Sequence, residues 1–91
     1  MLPLEVSTQF TVDIIQLKKE DPKLCGKVWE LIVDILQSPH NPLSGLGKPE
    51  ALRGNLSGYY SRRINDKHRL IYKFTNGTLV LISCYGHYSD K

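Results

Sequence analysis

The spacing of apolar residues changes once along this chain of 91 residues, and that change limits the folds available to it. Between residues 7 and 38, apolar side chains recur every three or four positions, as on one side of an α-helix. After Gly58 come three short strand-like runs separated by turn residues. Helices followed by a block of strands are typical of the α+β class, with the helices packed on one face of an antiparallel sheet.

The first helix is predicted to begin after Ser7, whose side chain is a suitable N-cap. Phe10, Ile14 and Leu17 follow it at i, i+4 and i+7, which is the spacing of an amphipathic helix. A strand is the alternative, because Phe10, Val12 and Ile14 also alternate. We take the helix as the prediction for this segment.

A second helix is predicted to begin at Asp21-Pro22, an N-cap followed by proline at the first helical position, and to end near Ser38-Pro39. Its apolar stripe and the residues beside it are Leu24, Val28, Leu31 and Ile35, with Cys25, Trp29, Ile32 and Leu36. On this pattern Trp29 is predicted to belong to the core.

Four segments are predicted to be strands. A short first strand is expected at Leu2 to Val6, and three more at Tyr59–Ile64, Arg69–Phe74 and Thr78–Tyr85. Asn76-Gly77 between the last two is a strong hairpin signal. The prediction is therefore a short N-terminal strand, two helices, a loop and an antiparallel meander of three strands.

The chain length is that of one domain, here residues 1–91. The loop 39–58 is long for such a small domain, and long ordered loops often carry functional residues. No apolar run approaches the roughly 20 residues that span a bilayer, and the first residues lack the pattern of a signal peptide. A cytoplasmic protein is expected, with Cys25 and Cys84 reduced and acting as small apolar residues.

Charge is distributed unevenly between the two halves of the chain. Residues 1–47 contain four lysines and six acidic residues, a net charge of −2, whereas residues 48–91 contain eight basic and three acidic residues, a net charge of +5. A basic half indicates an anionic partner, commonly nucleic acid. A solvated surface of mixed charge is an equally valid interpretation of the charge alone.

The basic half contains the residue types that RNA cleavage without a metal requires. A base must take the proton of a 2′-hydroxyl group, an acid must protonate the departing 5′-oxygen, and cations must stabilise the charge on the phosphorane. A carboxylate, a histidine and paired arginines suit these roles. Such residues are also common on the surfaces of basic domains, so the inventory alone does not identify a nuclease.

Four segments carry a more specific pattern: GKPEAL at 47–52, NLSGYYSRRIND at 55–66, HRLIY at 68–72 and CYGHY at 84–88. They closely resemble the YoeB/Txe toxins of the RelE superfamily. In that family G-K-P-E-x-L precedes N-L-S-G-x-x-S-R-R-I and H-R-L-x-Y, and the chain ends near a His-Tyr pair. The resemblance is continuous over roughly residues 45–72, and it implies a RelE-like fold.

The resemblance also implies roles for individual residues. Glu50 matches the catalytic carboxylate, the general base on the 2′-hydroxyl group. Arg69 matches the arginine that stabilises the transition-state phosphate, and Arg63 a supporting arginine. His87 matches the proposed general acid, and Tyr88 a tyrosine that positions the substrate. No metal or cofactor is implied.

Lys48, Arg53 and Arg62 are expected to contact RNA or the ribosome, and His68 is interpreted as a turn residue. The sequence departs from the family pattern at Gly86, where relatives commonly have an aromatic residue, and in continuing through residues 89–91.

The function implied is that of a type II toxin that cuts messenger RNA in the ribosomal A site. Its implied partners are a YefM/Axe-like antitoxin, the ribosome with its message, and a second copy of the toxin or a toxin–antitoxin hetero-oligomer; no membrane is involved. ParE-like members of the superfamily, which inhibit DNA gyrase by binding, are the alternative. A general basic RNA-binding module is a third possibility.

If Arg63 and Arg69 act on one phosphate, both must project from the same face of the sheet. Side chains alternate along a strand, so a plain two-residue turn at Asp66-Lys67 would place the two arginines on opposite faces. The sequence therefore predicts an odd-length turn or a bulge between Ile64 and Arg69.

Overall fold

Two helices and five strands follow one another in the computed structural model, which describes residues 2–86. The elements are β1 (Leu4–Val6), α1 (Thr8–Glu20), α2 (Pro22–Gln37), β2 (Glu50–Ala51), a short 3-10 helix (Gly54–Leu56), β3 (Tyr59–Arg63), β4 (Arg69–Thr75) and β5 (Thr78–Ser83). The α+β class is confirmed.

Local capping explains where both helices begin. The Ser7 side chain accepts a hydrogen bond from the Phe10 amide at 3.0 Å, and Asp21 accepts one from the Lys23 amide at 3.2 Å. Pro22 occupies the first turn of α2, where the lack of an amide hydrogen costs nothing. Both predicted helices are confirmed, and neither is long and apolar enough to cross a membrane.

The prediction that Trp29 belongs to the core is wrong, because 47% of its surface is exposed. The core side of α2 is formed instead by Val28, Leu31, Ile32 and Ile35, which are all buried. Trp29 follows Val28 by one position, which is about 100° around the helix, and this rotation turns it away from the sheet.

The sheet contains one strand more than predicted. Its order is β1-β5-β4-β3-β2, with β1 parallel to β5 and all other neighbours antiparallel. The additional strand is β2, a two-residue segment of the long loop 39–58, which pairs with β3. The predicted hairpin at Asn76-Gly77 is confirmed, and both residues have the positive φ angles that a type I′ turn requires.

The helices cover one face of the sheet, and the core lies between the helices and that face. From the sheet this core takes alternate residues of β4 and β5, namely Leu70, Tyr72, Leu79 and Leu81. The remaining alternate residues point away from the helices, because side chains alternate along a strand. We call this second side the outer face; in β3 and β4 it comprises Tyr59, Ser61, Arg63, Arg69, Ile71 and Lys73.

Candidate functional site

Arg63 and Arg69 lie directly opposite each other on the outer face. The turn between them contains the five residues 64–68, so the prediction of an odd-length turn is confirmed. Their amides do not bond to each other: Arg63 N donates to Gly47 O at 2.6 Å and Arg69 N to Gly86 O at 3.0 Å. In such a pair the Cβ atoms lie about 4.5–5.5 Å apart, so both guanidinium groups can reach one anion.

This arginine pair has an electrostatic cost that an anion would remove. Like charges directly opposite each other on a sheet are destabilising, by up to about 1 kcal/mol. Within residues 2–86, moreover, no hydrogen-bond acceptor meets the buried Nε of Arg63. Two planar guanidinium groups side by side present the fork-like donors that phosphate oxygens accept.

Glu50 shares the outer face with the two arginines. Its partner on β3 is Ser61, which stands two positions before Arg63. Directly paired residues project from the same face, and diagonal neighbours lie about 7–8 Å apart. Glu50 is exposed. The fold thus brings an exposed carboxylate to the same face as a pair of cations, with Arg63 as its diagonal neighbour.

The backbone of residues 47–48 determines where Glu50 lies. Gly47 adopts a φ of +80°, and a Cβ atom there would lie 2.9 Å from the carbonyl oxygen of Arg63. Lys48 also has a positive φ, of 51°, which is uncommon for a residue with a side chain. Lys48 and Arg53 are both exposed near this edge of the sheet; their contact with RNA stays a prediction.

Arg62 requires a correction, because the structure buries the side chain that was expected to contact RNA. Only 1% of its surface is exposed. Its guanidinium donates to Asp34 at 2.5 Å, to the carbonyl oxygens of Leu46 and Ser44 at 3.0 and 3.1 Å, and to the Tyr72 hydroxyl at 3.1 Å. As the neighbour of Arg63 on a strand, it must point to the opposite, helix-covered face.

The buried arginine organises the loop that leads to Glu50. The hydrogen bond from Arg62 lowers the pKa of the Asp34 carboxyl, so an ion pair joins α2 to β3. Asp34 also accepts a hydrogen bond from the Leu46 amide at 3.0 Å. Arg62 is therefore a structural residue that holds the loop in place just before Glu50.

His68 has a larger role than the turn residue predicted from the sequence. Its amide does belong to the turn, since it donates to the Asn65 side chain at 2.7 Å. Its ring, however, has no exposed surface. Nε2 lies 2.8 Å from Glu20 Oε2, and Nδ1 accepts a hydrogen bond from the Gly86 amide at 2.8 Å.

Sequence reasoning missed Glu20 and Asp13, two α1 residues that hold the segment after β5. Asp13 is buried and accepts from the Cys84 amide at 2.9 Å, and Glu20 accepts from the Tyr85 hydroxyl at 2.6 Å. These partners are more than 60 positions apart, so no local pattern could have indicated them. The sequence offered one signal for these contacts, the histidine in the family pattern HRLIY, which is the partner of Glu20.

His87 and Tyr88 lie outside the described residues, and their roles stay predictions. The described chain reaches Gly86, which borders a cavity of about 330 Å³ next to the outer face. The lining residues are Gln9, Leu56, Tyr59, Ile71, Ile82, Ser83, Tyr85 and Gly86. Since the carbonyl oxygen of Gly86 accepts a hydrogen bond from the Arg69 amide, this cavity adjoins the arginine pair.

The Glu20 cluster makes a testable contribution to stability. Hydrogen bonds from Tyr85 and His68 lower the pKa of Glu20 from 4.5 to about 2. A lowered pKa means that the ionised form stabilises the fold above pH 4.5, and that this contribution is lost as the pH falls from 4.5 to about 2. We expect Glu20→Gln to unfold at lower urea concentration than the parent at neutral pH, with the difference shrinking over that range. A difference that is constant from neutral pH to pH 2 would contradict the assigned pKa.

Comparisons with known proteins identify relatives over nearly the whole chain. The family model described as "YoeB-like toxin of bacterial type II toxin-antitoxin system" matches residues 7–88. Toxin YoeB of Streptomyces coelicolor is 45% identical over 76 residues, which are 84% of this chain and 87% of the relative. Among solved structures, the YoeB dimer from Staphylococcus aureus has a TM-score of 0.83 at 40% identity, covering 96% of this chain and 98% of the other. A heterotetrameric YoeB-YefM toxin-antitoxin complex from the same organism has a TM-score of 0.80 at 40% identity, covering 97% and 99%.

Proposed function

The chain belongs to the family of YoeB-like toxins of bacterial type II toxin-antitoxin systems, and we propose that it is a ribosome-dependent endoribonuclease that cuts messenger RNA in the ribosomal A site. The observation that carries this proposal is the strand register. It brings Glu50, Arg63 and Arg69 to one face of the sheet, where a carboxylate and two cations can act on the same ribose-phosphate unit.

In the proposed reaction, Glu50 accepts the proton of the ribose 2′-hydroxyl group. The 2′-oxygen then attacks the adjacent phosphorus and the bond to the 5′-oxygen breaks, which leaves a cyclic phosphate on one product. Arg63 and Arg69 stabilise the charge that builds on the phosphoryl oxygens. His87 protonates the departing 5′-oxygen, and Tyr88 helps to position the substrate. The imidazole of His87 suits the role of general acid, because it exchanges a proton near neutral pH.

This arrangement favours a nuclease over a gyrase-binding toxin. A protein that acts by binding alone has no need of a carboxylate beside two arginines that can bind the same phosphate. The exposed Lys48 and Arg53 are proposed to contact the RNA backbone or ribosomal RNA, because they lie at the edge of the sheet next to Glu50. Such contacts would place the protein in the A site, in the cytoplasm where translation takes place.

The proposed protein partner is a YefM-like antitoxin. The Staphylococcus aureus relative forms a heterotetrameric complex with YefM, and it also forms a dimer. The basic C-terminal half of this chain, with a net charge of +5 over residues 48–91, suits an acidic antitoxin segment lying across the arginine pair. Neutralisation would then result from direct cover of the proposed site.

The proposal predicts that Glu50→Gln lowers cleavage by about 10²–10⁴-fold, the usual contribution of a general base. Cuts would be mapped by primer extension on a message under translation, with purified ribosomes present or omitted. Glu5→Gln is the matched control, because Glu5 is an exposed carboxylate on β1 at the opposite edge of the sheet. It should cleave like the parent, and both proteins should need ribosomes.

A second substitution separates the enzyme from the gyrase-type alternative. His87→Gln should still bind ribosomes and the antitoxin while cutting far more slowly. If Glu50→Gln and His87→Gln both arrest growth fully and no cuts are found in translated messages, the nuclease proposal is wrong. Inhibition of gyrase-catalysed supercoiling by the same protein would then support the alternative.

A further inference from the structure

The backbone of Gly86 is fixed on both sides by hydrogen bonds. Its amide donates to His68 Nδ1 at 2.8 Å, and its carbonyl oxygen accepts from the Arg69 amide at 3.0 Å. The carbonyl carbon of Gly86 is bonded to the nitrogen of His87. The chain therefore enters its last residues from a peptide group that is held by the backbone of the proposed phosphate-binding arginine.

The hydrogen bond to Gly86 requires one particular state of the His68 ring. Nδ1 can accept only if it carries no proton, so the proton of the neutral ring lies on Nε2. Nε2 faces Glu20 Oε2 at 2.8 Å, where a carboxylate stabilises that tautomer. The other groups around this carboxylate are Lys67, at 3.3 Å, and the Tyr85 hydroxyl, at 2.6 Å.

These contacts form a connected group around a buried ring. The His68 ring has no exposed surface, and the ring of Tyr85 lies against it with the centroids 4.4 Å apart. The members come from three separate parts of the chain: the end of α1, the turn before β4 and the segment after β5. A buried imidazole could be replaced by an apolar residue if filling space were its only purpose, but an apolar residue could not accept from Gly86.

Gly86 is a residue whose backbone needs these hydrogen bonds to keep one conformation. It has a φ of +83°, in the left-handed region that favours glycine. Glycine without further contacts would leave the chain free to rotate at this point. Two hydrogen bonds to the Gly86 backbone remove that freedom just before His87, at the position where the family commonly has an aromatic residue.

We propose that Glu20 and His68 are positioning residues that hold the Gly86 peptide group against the backbone of Arg69, the fixed point from which the chain continues to the proposed general acid His87. This inference rests on the proposed nuclease function. Neither residue touches the substrate. Their effect on cleavage is exerted through the Gly86 backbone, which is covalently joined to the proposed general acid.

Two substitutions of His68 retain one hydrogen bond each and so provide a matched pair. In His68→Asn the side-chain oxygen takes the place of Nδ1 and can still accept from Gly86. In His68→Gln the side-chain nitrogen takes the place of Nε2 and can still donate to Glu20, but nothing accepts from Gly86. We expect His68→Gln to lose on the order of 100-fold in cleavage rate, the scale of an ångström-sized misalignment. His68→Asn should retain most of the parental rate.

The measurement is single-turnover cleavage of a ribosome-bound message by the full-length protein over a range of toxin concentrations. Positioning predicts that the rate at saturation falls in His68→Gln, whereas the concentration for half-maximal rate stays close to the parental value. Hydrogen exchange of the Gly86 amide, followed by NMR, should be faster in His68→Gln than in the parent and in His68→Asn. A buried residue that only supported the fold would not separate the two variants in this way.

Since His68 is fully buried, a variant at the exposed Glu20 provides a second test if the His68 variants do not fold. Glu20→Ala removes the carboxylate that fixes the ring tautomer, and it should lower the saturating rate and speed exchange at Gly86. Lys19→Ala, one residue earlier on α1, is its control. The inference is overturned if the folded variants cleave at the parental rate, or if only the half-maximal concentration changes. A parental protein that cuts no message on ribosomes would instead overturn the proposed function, and the inference with it.

Discussion

Replacing Arg69 with alanine is expected to slow message cleavage by about 10²–10³-fold, with little effect on the fold. Loss of one preorganised electrostatic contact to a transition state typically raises the barrier by about 2.7–4 kcal/mol. The Arg69 side chain lies on the outer face, opposite Arg63, where its removal also relieves the repulsion between two like charges. The backbone amide that holds Gly86 is unchanged by the substitution. Single-turnover cleavage on programmed ribosomes measures the effect.

Lys73→Ala is the control for Arg69→Ala, because Lys73 lies on the same strand and face. Lys73 is paired with Tyr59, not with Arg63, and its ammonium group lies 5.2 Å from the centroid of the Tyr59 ring. If cleavage depended only on overall positive charge, both variants would be impaired alike. A folded Arg69→Ala protein that cuts at the parental rate would remove Arg69 from the site.

Replacing Arg62 with alanine is expected to lower the free energy of unfolding by roughly 3 kcal/mol. Breaking a buried ion pair by removing one partner costs about 3–5 kcal/mol, and the lower end applies because the Asp34 side chain is 26% exposed and can be rehydrated. The carbonyl oxygens of Ser44 and Leu46 also lose their donors. Urea denaturation gives the change in unfolding free energy.

Arg63→Ala is the matched control, since it removes the same side chain from the next residue of β3. Its stability should stay within about 1 kcal/mol of the parent, because no buried acceptor depends on it among the described residues and a like-charge contact is lost. Cleavage should nevertheless fall. Equal losses of stability in Arg62→Ala and Arg63→Ala would contradict the division between a structural and a functional arginine.

The parts of the fold that the sequence predicted well depend on local physics. Ser7 and Asp21-Pro22 cap their helices through atoms two or three residues away, and Asn76-Gly77 forms its turn through its own backbone angles. Such signals are contained in a few consecutive residues. β2 was missed because a two-residue strand has no pattern of its own and exists only by pairing with β3.

The candidate site was predicted in part, for a related reason. The requirement that Arg63 and Arg69 share a face led to the correct turn length. Arg62 was misassigned because two adjacent arginines look alike in sequence, and only the position of the helices decides which of them is buried. The pairing of Glu20 with His68 spans 48 positions, so it emerges only when α1 and the turn before β4 are brought together.

The four hydrogen bonds of Arg62 have a consequence for the accuracy of folding. If β3 slipped by one residue against its neighbours, every side chain would change face. In one direction Ser61 would enter the place of Arg62 and leave Asp34 without its partner; in the other, Ile64 would take the place of Arg63 beside Arg69. Misaligned chains therefore lose either the buried ion pair or the apolar packing of Ile64. Arg62 excludes one slip and Ile64 the other, so a chain that folds stably is also a chain in which Arg63 lies opposite Arg69.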